Sequence, residues 1–372
     1  MTRKTSIDRE RENEKEKGAR AAFIAAIILP VIFLFLLFFS QGYTWAGAMK
    51  TVTTPDGGTA QVPVDPKRIA CFYGPSYEKV FLLGMGDRVA AMSIAQTPWA
   101  HKLNPDLKKV AVMPSYDNPD VERILEMGID LVFYWPMPGQ MRKMAMAGIT
   151  AVSPYYGGPG PVSREEFMGQ YKREIRFYGD VLGEKARKIA DSYCDEYDQK
   201  VKGVLAATSR IPVGARPKVY YITGRDAFST QGADSLAYWL VDMAGGSLVS
   251  KDLGPGFAEA SMEQIIAWNP DTIVISMRVS SPDAIYNDPR WKGIRAVKEK
   301  RVYVCPEGVF LWGHGSSEVH LFLMWLARIF HPDRFGDIDI ETATKDYYAR
   351  FYHYNLSTEE VKSILNPVRP RE

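Results

Sequence analysis

The sequence predicts an α/β protein with two lobes, each built on a central parallel or mixed sheet, that are joined by a long helix and preceded by an N-terminal membrane segment. Three observations predict this fold. Strand-like segments alternate with helical segments in two series, a strand-free helical region separates the series, and one helix–turn–strand pattern occurs once in each series. With 372 residues, 46% of them hydrophobic, the chain is long enough for more than one core.

The first 48 residues differ in composition from the rest. Residues 1–20 hold seven Lys/Arg and five Asp/Glu, so this predicted cytoplasmic tail accounts for the whole net charge of +2. Residues 21–39 carry no charge and are about as long as a bilayer span. Residues 21–48 are therefore either a signal peptide, cut after Ala46-Gly47-Ala48, or a retained anchor. Both alternatives place the rest of the chain at the periplasmic or extracellular face of the cytoplasmic membrane.

Short apolar and β-branched runs predict the strands, and amphipathic runs predict the helices between them. The first series has predicted strands at 68–72, 88–93, 109–112, 131–134 and 150–153, with helices at 77–83 and 121–127. The second series has predicted strands at 218–222, 272–276 and 301–304, with helices at 235–244, 262–268 and 318–330. Such alternation is typical of sheets covered by helices.

Residues 163–210, between the two series, have a helical pattern and no strand pattern. Ser163 and Glu166 have the spacing of a capping box, which predicts a helix start. Apolar side chains then recur every four residues, at Ile189, Tyr193, Tyr197, Val201 and Leu205. Gly183 predicts a break between two helices. The second, at 184–210, would be about 40 Å long and would brace the two lobes against large relative motion.

Composition and motifs exclude several kinds of protein. The three cysteines, Cys71, Cys194 and Cys305, lie far apart and are predicted to be buried free thiols and not a metal site, with one disulfide left open. A neutral body without a Lys/Arg run is not typical of a nucleic-acid-binding protein. The motifs G-x-S-x-G, G-x-x-x-x-G-K-[ST] and H-E-x-x-H do not occur, so the sequence predicts neither catalytic residues nor a cofactor.

The repeated pattern covers residues 121–133 and 262–274, and each copy reads as a helix, a turn and a buried strand. In each copy a glutamate, Glu122 or Glu263, precedes an aspartate by eight residues. At these residues, and over about residues 60–355, the chain resembles the substrate-binding proteins of ABC importers for ferric siderophores, cobalamin and haem. The segments that carry the resemblance are Pro270-Asp271 in the second copy and residues 62–69, 83–89, 288–297 and 301–303. In the first copy, Ile129 replaces the usual proline.

The resemblance implies a domain organisation and a set of partners. The lobes would span 60–183 and 217–332, with a helical tail at 333–372, and the ligand would lie in the cleft between the lobes. One surface glutamate per lobe, Glu122 and Glu263, would meet arginines on the membrane subunits of an ABC permease. An acid in the first turn of a helix also interacts favourably with the helix dipole, which is the alternative role of both residues.

Candidate ligand-binding residues follow the predicted strands, because loops at the carboxyl ends of parallel strands usually build binding sites. The aromatic candidates, whose flat rings suit a corrin, a porphyrin or an aromatic iron chelate, are Tyr73, Trp99, Tyr116, Tyr134, Trp135, Tyr155, Tyr156, Phe228 and Trp312. Arg225 and Arg278 suit a negatively charged chelate, and His314 suits the axial position of a metal. The alternatives are rings that pack in the core, arginines on the solvated surface and a histidine that hydrogen-bonds at a helix start.

These features predict an extracytoplasmic carrier that captures a metal chelate and delivers it to an ABC permease. An iron complex is the leading ligand, and cobalamin and haem are next. The alternative function is a chelatase-like enzyme on a related two-lobed fold, which would insert metal into a tetrapyrrole. The predicted export segment favours the carrier.

Overall fold

The computed structural model describes residues 48–93, 97–113, 118–155, 160–224, 226–276 and 282–367. The predicted tail and nearly all of the predicted signal or anchor, residues 21–48, lie outside the described residues. Within the described ranges, no helix combines the length and the apolar composition that a membrane span requires.

The described residues form strands and helices in alternation. The strands are β1 (Met49–Thr53), β2 (Thr59–Pro63), β3 (Ile69–Cys71), β4 (Val89–Met92), β5 (Ala111–Val112), β6 (Leu131–Phe133), β7 (Ala151–Val152), β8 (Lys218–Ile222), β9 (Ser229–Gln231), β10 (Ser247–Leu248), β11 (Phe257–Glu259), β12 (Thr272–Ile275) and β13 (Val302–Val304). The helices are α1 (Ser76–Leu82), α2 (Pro98–Leu103), α3 (Val121–Glu126), α4 (Pro138–Met146), α5 (Arg164–Leu182), α6 (Glu184–Thr208), α7 (Leu236–Met243), α8 (Met262–Trp268), α9 (Asp283–Tyr286), α10 (Arg295–Lys298), α11 (Val319–Phe330), α12 (Pro332–Phe335), α13 (Ile340–Phe351) and α14 (Thr358–Leu365).

Two parallel sheets organise these elements. The N-terminal sheet has the strand order β5-β4-β3-β6-β7, and the C-terminal sheet has the order β10-β8-β12-β13. The predicted α/β fold with parallel sheets is confirmed. The antiparallel pairs β1–β2 and β9–β11 were not predicted. In β1 most side chains are polar and exposed, and only Val52 is buried, so the apolar pattern is weak there.

The central strands are buried on both faces, which explains their continuous apolar sequences. In the N-terminal sheet, Ala70 and Val132 face the core beneath α3 and α4, whereas Ile69 and Leu131 face the core beneath α1 and α5. In the C-terminal sheet, α8 and α10 cover one face, and α7 and α11 cover the other. The core under α1, α5, α6, α7 and α11 is one continuous cluster that reaches from one sheet to the other.

The long helical region breaks where the sequence predicts it. Gly183, with φ of +110°, separates α5 from α6, and this backbone conformation strongly favours glycine. At the start of α5, the Ser163 hydroxyl accepts a hydrogen bond from the Glu166 backbone N–H (3.1 Å). The Glu166 carboxylate accepts from the Val162 N–H, so the predicted capping box is only half formed. α6 packs along α5 and α11, with its apolar stripe buried or half-buried.

Candidate functional site

The carboxyl ends of the two sheets face each other. Tyr77, in the helix after β3, donates a hydrogen bond from its hydroxyl to the Val309 carbonyl (2.9 Å), which lies in the segment after β13. Thr97, after β4, donates from its hydroxyl to the Gly308 carbonyl (2.7 Å) in the same segment. The loops that follow the strands of both sheets therefore border one region, which we call the inter-sheet region. Ligands of parallel α/β proteins usually bind at such edges.

Three aromatic side chains at the carboxyl end of the N-terminal sheet contact one another. Tyr73 follows β3, Trp135 follows β6 and Tyr155 follows β7, and these three strands are neighbours. The ring centroids are 4.6 Å apart for Tyr73 and Trp135, 5.6 Å for Trp135 and Tyr155, and 6.1 Å for Tyr73 and Tyr155. Tyr73 is only 6% exposed whereas Tyr155 is 46% exposed. This aromatic cluster thus has a packed base and an accessible outer ring.

Three other predicted rings lie in the core. Tyr134 has no exposed surface and packs edge-on against Phe72, at 6.5 Å between centroids. It points away from its neighbour in sequence because successive residues of an extended chain alternate in direction. Trp312 is fully buried, and Trp99 in α2 packs against Tyr348 at 6.2 Å. Tyr134, Trp312 and Trp99 therefore pack in the core, which is the alternative role given above for these rings.

Four predicted ligand-binding residues, Tyr116, Tyr156, Arg225 and Arg278, lie outside the described residues. Phe228 is described, and its ring packs near Trp291, with the Arg290 guanidinium 5.5 Å above its face. The Phe228 side chain is therefore in contact with the core of the C-terminal sheet.

His314 lies at the carboxyl end of the C-terminal sheet, in a tightly held loop. The carbonyl of the preceding Gly313 accepts hydrogen bonds from the hydroxyls of Ser276 (3.0 Å) and Tyr221 (3.3 Å). A Cβ at Gly313 would lie 2.4 Å from the Tyr221 hydroxyl, so only glycine allows this approach. Burial lowers the pKa of His314, which favours a neutral imidazole at pH 7, and a neutral imidazole carries one nitrogen that can accept a hydrogen bond or bind a metal.

A buried ion pair in α1 joins the two halves of the chain. Glu78 and Lys79 are fully buried and 3.1 Å apart. The Glu78 carboxylate accepts hydrogen bonds from the N–H and the hydroxyl of Ser317 and from the Tyr352 hydroxyl (3.1 Å). Lys79 donates to the Gly315 carbonyl. Burying two charges is costly, and the further hydrogen bonds that both side chains make here offset part of this cost. We did not predict this pair; its one signal is two adjacent charges within the apolar helix SYEKVFL.

Two further carboxyl groups, the buried Glu318 and the half-buried Glu174, lie near this ion pair. Burial raises the pKa of Glu318 to about 7, and the charge of Glu78 adds to this effect. Glu318 accepts hydrogen bonds from the hydroxyls of Tyr348 (2.6 Å) and Ser316 (3.0 Å). Burial also raises the pKa of Glu174 to about 7, and its Oε1 atom has no hydrogen-bond partner among the described residues. Both groups therefore change charge near neutral pH.

The cysteines are buried free thiols, as predicted. Burial raises the pKa of Cys194 to about 11 and raises that of Cys71 further. Within the described ranges, no group of three or more His, Cys, Asp or Glu side chains could hold a metal ion.

The two copies of the sequence repeat expose the same positions. In α3, Glu122 and Leu125 are exposed and Ile124 is buried. In α8, the equivalent residues Glu263 and Ile266 are exposed, and Ile265 is buried. At the start of α8, Ser261 and Gln264 form a capping box. Hydrogen bonds from its own backbone N–H and from Ser261 lower the pKa of Glu263, which keeps the carboxylate charged.

The aspartate of each repeat holds the start of the neighbouring strand. The Asp130 carboxylate accepts hydrogen bonds from the backbone N–H groups of Lys67 (2.6 Å) and Arg68 (3.1 Å), just before β3. The Asp271 carboxylate accepts from the N–H of Lys218 (2.8 Å), the first residue of β8. The equal spacing in the two copies therefore has a structural cause: each aspartate aligns two adjacent parallel strands.

Basic side chains and left-handed turns end both helices of the repeat. Arg68 donates from Nε to the Met127 carbonyl (2.8 Å), and Lys218 donates from Nζ to the Trp268 carbonyl (3.2 Å). The residues that follow these two carbonyls, Gly128 and Asn269, both have positive φ. The two repeats therefore agree in exposure, strand pairing and helix termination.

Comparisons with known proteins agree with this architecture. Residues 69–309 match the family described as periplasmic binding protein. The molybdate-binding protein MolA of Haemophilus influenzae is 27% identical over 68% of this chain and 75% of that protein. The iron(3+)-hydroxamate-binding protein FhuD of Bacillus subtilis is 22% identical over 69% of this chain and 79% of that protein. The solved structure of a periplasmic solute binding protein from Veillonella parvula is 27% identical, with a TM-score of 0.72, and the match covers 86% of this chain and 97% of that chain.

Proposed function

This chain belongs to the periplasmic binding protein family, and from that premise we propose that it is an extracytoplasmic substrate-binding protein that carries an iron chelate to an ABC permease. Residues 60–183 and 217–332 form its two lobes, and residues 184–210 form the helix that joins them. The ligand lies in the inter-sheet region. Because one continuous core cluster reaches from sheet to sheet, the lobes close over the ligand by a small movement only.

The aromatic cluster is the observation that carries this proposal. Its rings offer an apolar wall with an accessible edge at Tyr155, next to Trp135 and Tyr73. Such a wall suits the organic shell of a siderophore, because aromatic rings bury large apolar areas in few side chains. A bare oxyanion gains little from it, because anions are bound by N–H and O–H donors. Cobalamin and haem, which are also broad and partly apolar, suit the same wall.

The C-terminal lobe supplies the polar side of the site. His314 presents a neutral imidazole, which suits a metal position of the chelate or a polar group of its shell. Arg225 and Arg278 remain predicted partners for a negatively charged chelate, and Tyr116 and Tyr156 remain predicted extensions of the aromatic wall. Glu122 and Glu263 dock onto arginines of the two permease subunits, where exposed charges steer association and still allow release.

Molybdate is the second candidate ligand, because the Haemophilus influenzae relative is a molybdate-binding protein with 27% identity. The chelatase alternative gains no support, since both named relatives are binding proteins.

Tryptophan fluorescence of the purified full chain tests the proposal. We expect ferrioxamine B to quench the fluorescence saturably at one site, and Trp135→Ala to remove most of this response. Trp268→Ala, which removes a half-buried tryptophan of α8, is the matched control and should leave binding unchanged. Cyanocobalamin, haemin and molybdate complete the panel. A response to molybdate alone would favour the second candidate, and no saturable response to any of the four compounds would contradict the carrier.

A further inference from the structure

α3 and α8 each expose an aliphatic side chain three residues after the exposed glutamate. Leu125 is 49% exposed and Ile266 is 52% exposed. A spacing of three residues puts each aliphatic side chain beside its glutamate on one helix face. Ile124 and Ile265, one position earlier, are fully buried and hold each helix against its sheet.

Leu125 and Ile266 are exposed aliphatic residues at the same position of the two repeats, and this repetition needs an explanation. Single exposed aliphatic residues are common on protein surfaces. Met146 is even more exposed, at 84%, but lies outside the repeat. Other exposed positions of the two helices differ in chemistry, since Arg123 in α3 corresponds to Gln264 in α8, and Glu126 corresponds to Ala267. An exposed glutamate and an exposed aliphatic residue are what the two helix surfaces share.

We propose that Leu125 and Ile266 are apolar anchors, each inserted into a recess on one membrane subunit of the importer, beside the contact made by Glu122 or Glu263. This inference rests on the proposed function, because it extends the docking surface of the same carrier. Burial of two aliphatic side chains supplies the affinity that exposed ion pairs lack.

The topology places the starts of both helices at the edges of the inter-sheet region. In a parallel α/β unit the helix runs opposite to the strands, so its first turn lies at the carboxyl edge of the sheet. The carboxyl edges of the two sheets face each other, so Glu122 and Glu263, in the first turns, flank the inter-sheet region, and each anchor lies one turn further along its helix. Two equivalent patches fit a partner with two equivalent recesses, as a pair of symmetry-related membrane subunits offers.

The two patches also differ in a way that can be measured. Leu125 is preceded by Glu122 one turn earlier and followed in sequence by the exposed Glu126, whereas Ile266 is preceded by Glu263 and followed by Ala267. The contact of the N-terminal lobe is therefore more sensitive to salt, and that of the C-terminal lobe depends more on the aliphatic side chain.

The experiment replaces the chromosomal copy of the gene in the source organism with Leu125→Gln, Ile266→Gln, the double variant or the control Met146→Gln. Glutamine keeps helix propensity, and the control alters a more exposed apolar residue. Uptake of radiolabelled ferrioxamine B, molybdate and cyanocobalamin is measured in cells, and binding of the same compounds is measured on the purified full chains. A photoreactive phenylalanine analogue at position 125, 266 or 146 identifies the protein in contact.

We expect uptake to fall about fivefold in each single variant and roughly 25-fold in the double variant, because each loses part of one aliphatic contact. Ligand binding by all the variants, and uptake in the Met146→Gln control, stay unchanged. Positions 125 and 266 cross-link to ABC membrane subunits, whereas position 146 does not. Normal uptake in the double variant, or cross-links to other proteins only, would overturn the anchor role of Leu125 and Ile266. The proposed carrier function would not be affected by this result. Absence of binding and uptake in the wild type would overturn the carrier, and the anchors with it.

Discussion

α3 and α8 expose the same two kinds of side chain at equivalent positions, whereas the strand ends that face each other across the inter-sheet region differ in chemistry. Each helix exposes a glutamate and an aliphatic residue over one buried isoleucine. At the strand ends, the N-terminal sheet presents the aromatic cluster, and the C-terminal sheet presents the hydrogen-bonded loop that carries His314. Equal outer helices suit a partner made of two equivalent subunits, and unequal inner edges suit one ligand with an apolar face and a polar face.

Removing Glu122 and Glu263, the two glutamates that we propose dock onto the permease, should give the largest effect. With Glu122→Ala and Glu263→Ala together, we expect uptake of radiolabelled ferrioxamine B by cells to fall to background, because both lobes lose their contact with the permease. Binding of ferrioxamine B to the purified chain should not change. The control is Glu184→Ala with Glu299→Ala, two exposed glutamates outside the repeats. Normal uptake in the variant that lacks Glu122 and Glu263 would show that these glutamates do not serve as equivalent contacts with the permease.

Breaking the buried ion pair should give the largest effect on stability. Lys79→Met leaves the Glu78 carboxylate buried without its partner, so we expect the free energy of unfolding to fall by about 3–5 kcal/mol. Urea unfolding at neutral pH measures this change. Lys188→Met, which removes an exposed pair with Glu184, should change stability by less than about 0.5 kcal/mol. Similar losses in the two variants would show that α1 does not join the halves through this pair.

Removing the ring of Trp135 from the aromatic cluster should weaken ligand binding by an intermediate amount. For Trp135→Ala we expect the Kd of ferrioxamine B to rise roughly 30-fold, since an aromatic contact buried on binding contributes about 2 kcal/mol. Tyr155→Ala should cost less, because that ring lies at the accessible edge. Calorimetric titration measures both. An unchanged Kd in Trp135→Ala would move the ligand away from the N-terminal sheet.

The pH dependence of stability should show the smallest effect for each step of one pH unit. The pKa of Glu318 is about 7 in the folded chain, against an ordinary value of 4.5. Between these values the folded state keeps a proton that the unfolded state has released, so the contribution of Glu318 to stability falls as the pH rises from about 5 to about 7. Relative to Glu318→Gln, the wild type should lose about 1 kcal/mol per pH unit in urea unfolding. A difference that does not vary with pH would contradict the assigned pKa.

The sequence predicted the elements whose pattern is local. The predicted strands are present, each shortened by at most a residue or two at its ends, and the break at Gly183 and both repeat helices lie where the periodicity places them. The sequence could not tell Trp135 from Tyr134, because adjacent residues point in opposite directions and only the packed sheets show which ring is in the core. It also could not pair Glu78 with Ser317, which lies 239 positions away.

Hydrogen–deuterium exchange of the full chain, with and without ferrioxamine B, tests most directly whether ligand and partner use different surfaces. The account predicts slower exchange with ligand at residues 72–76, 133–136 and 313–316, and unchanged exchange in α3 and α8. Slower exchange in α3 or α8 without any change at the strand ends would contradict it.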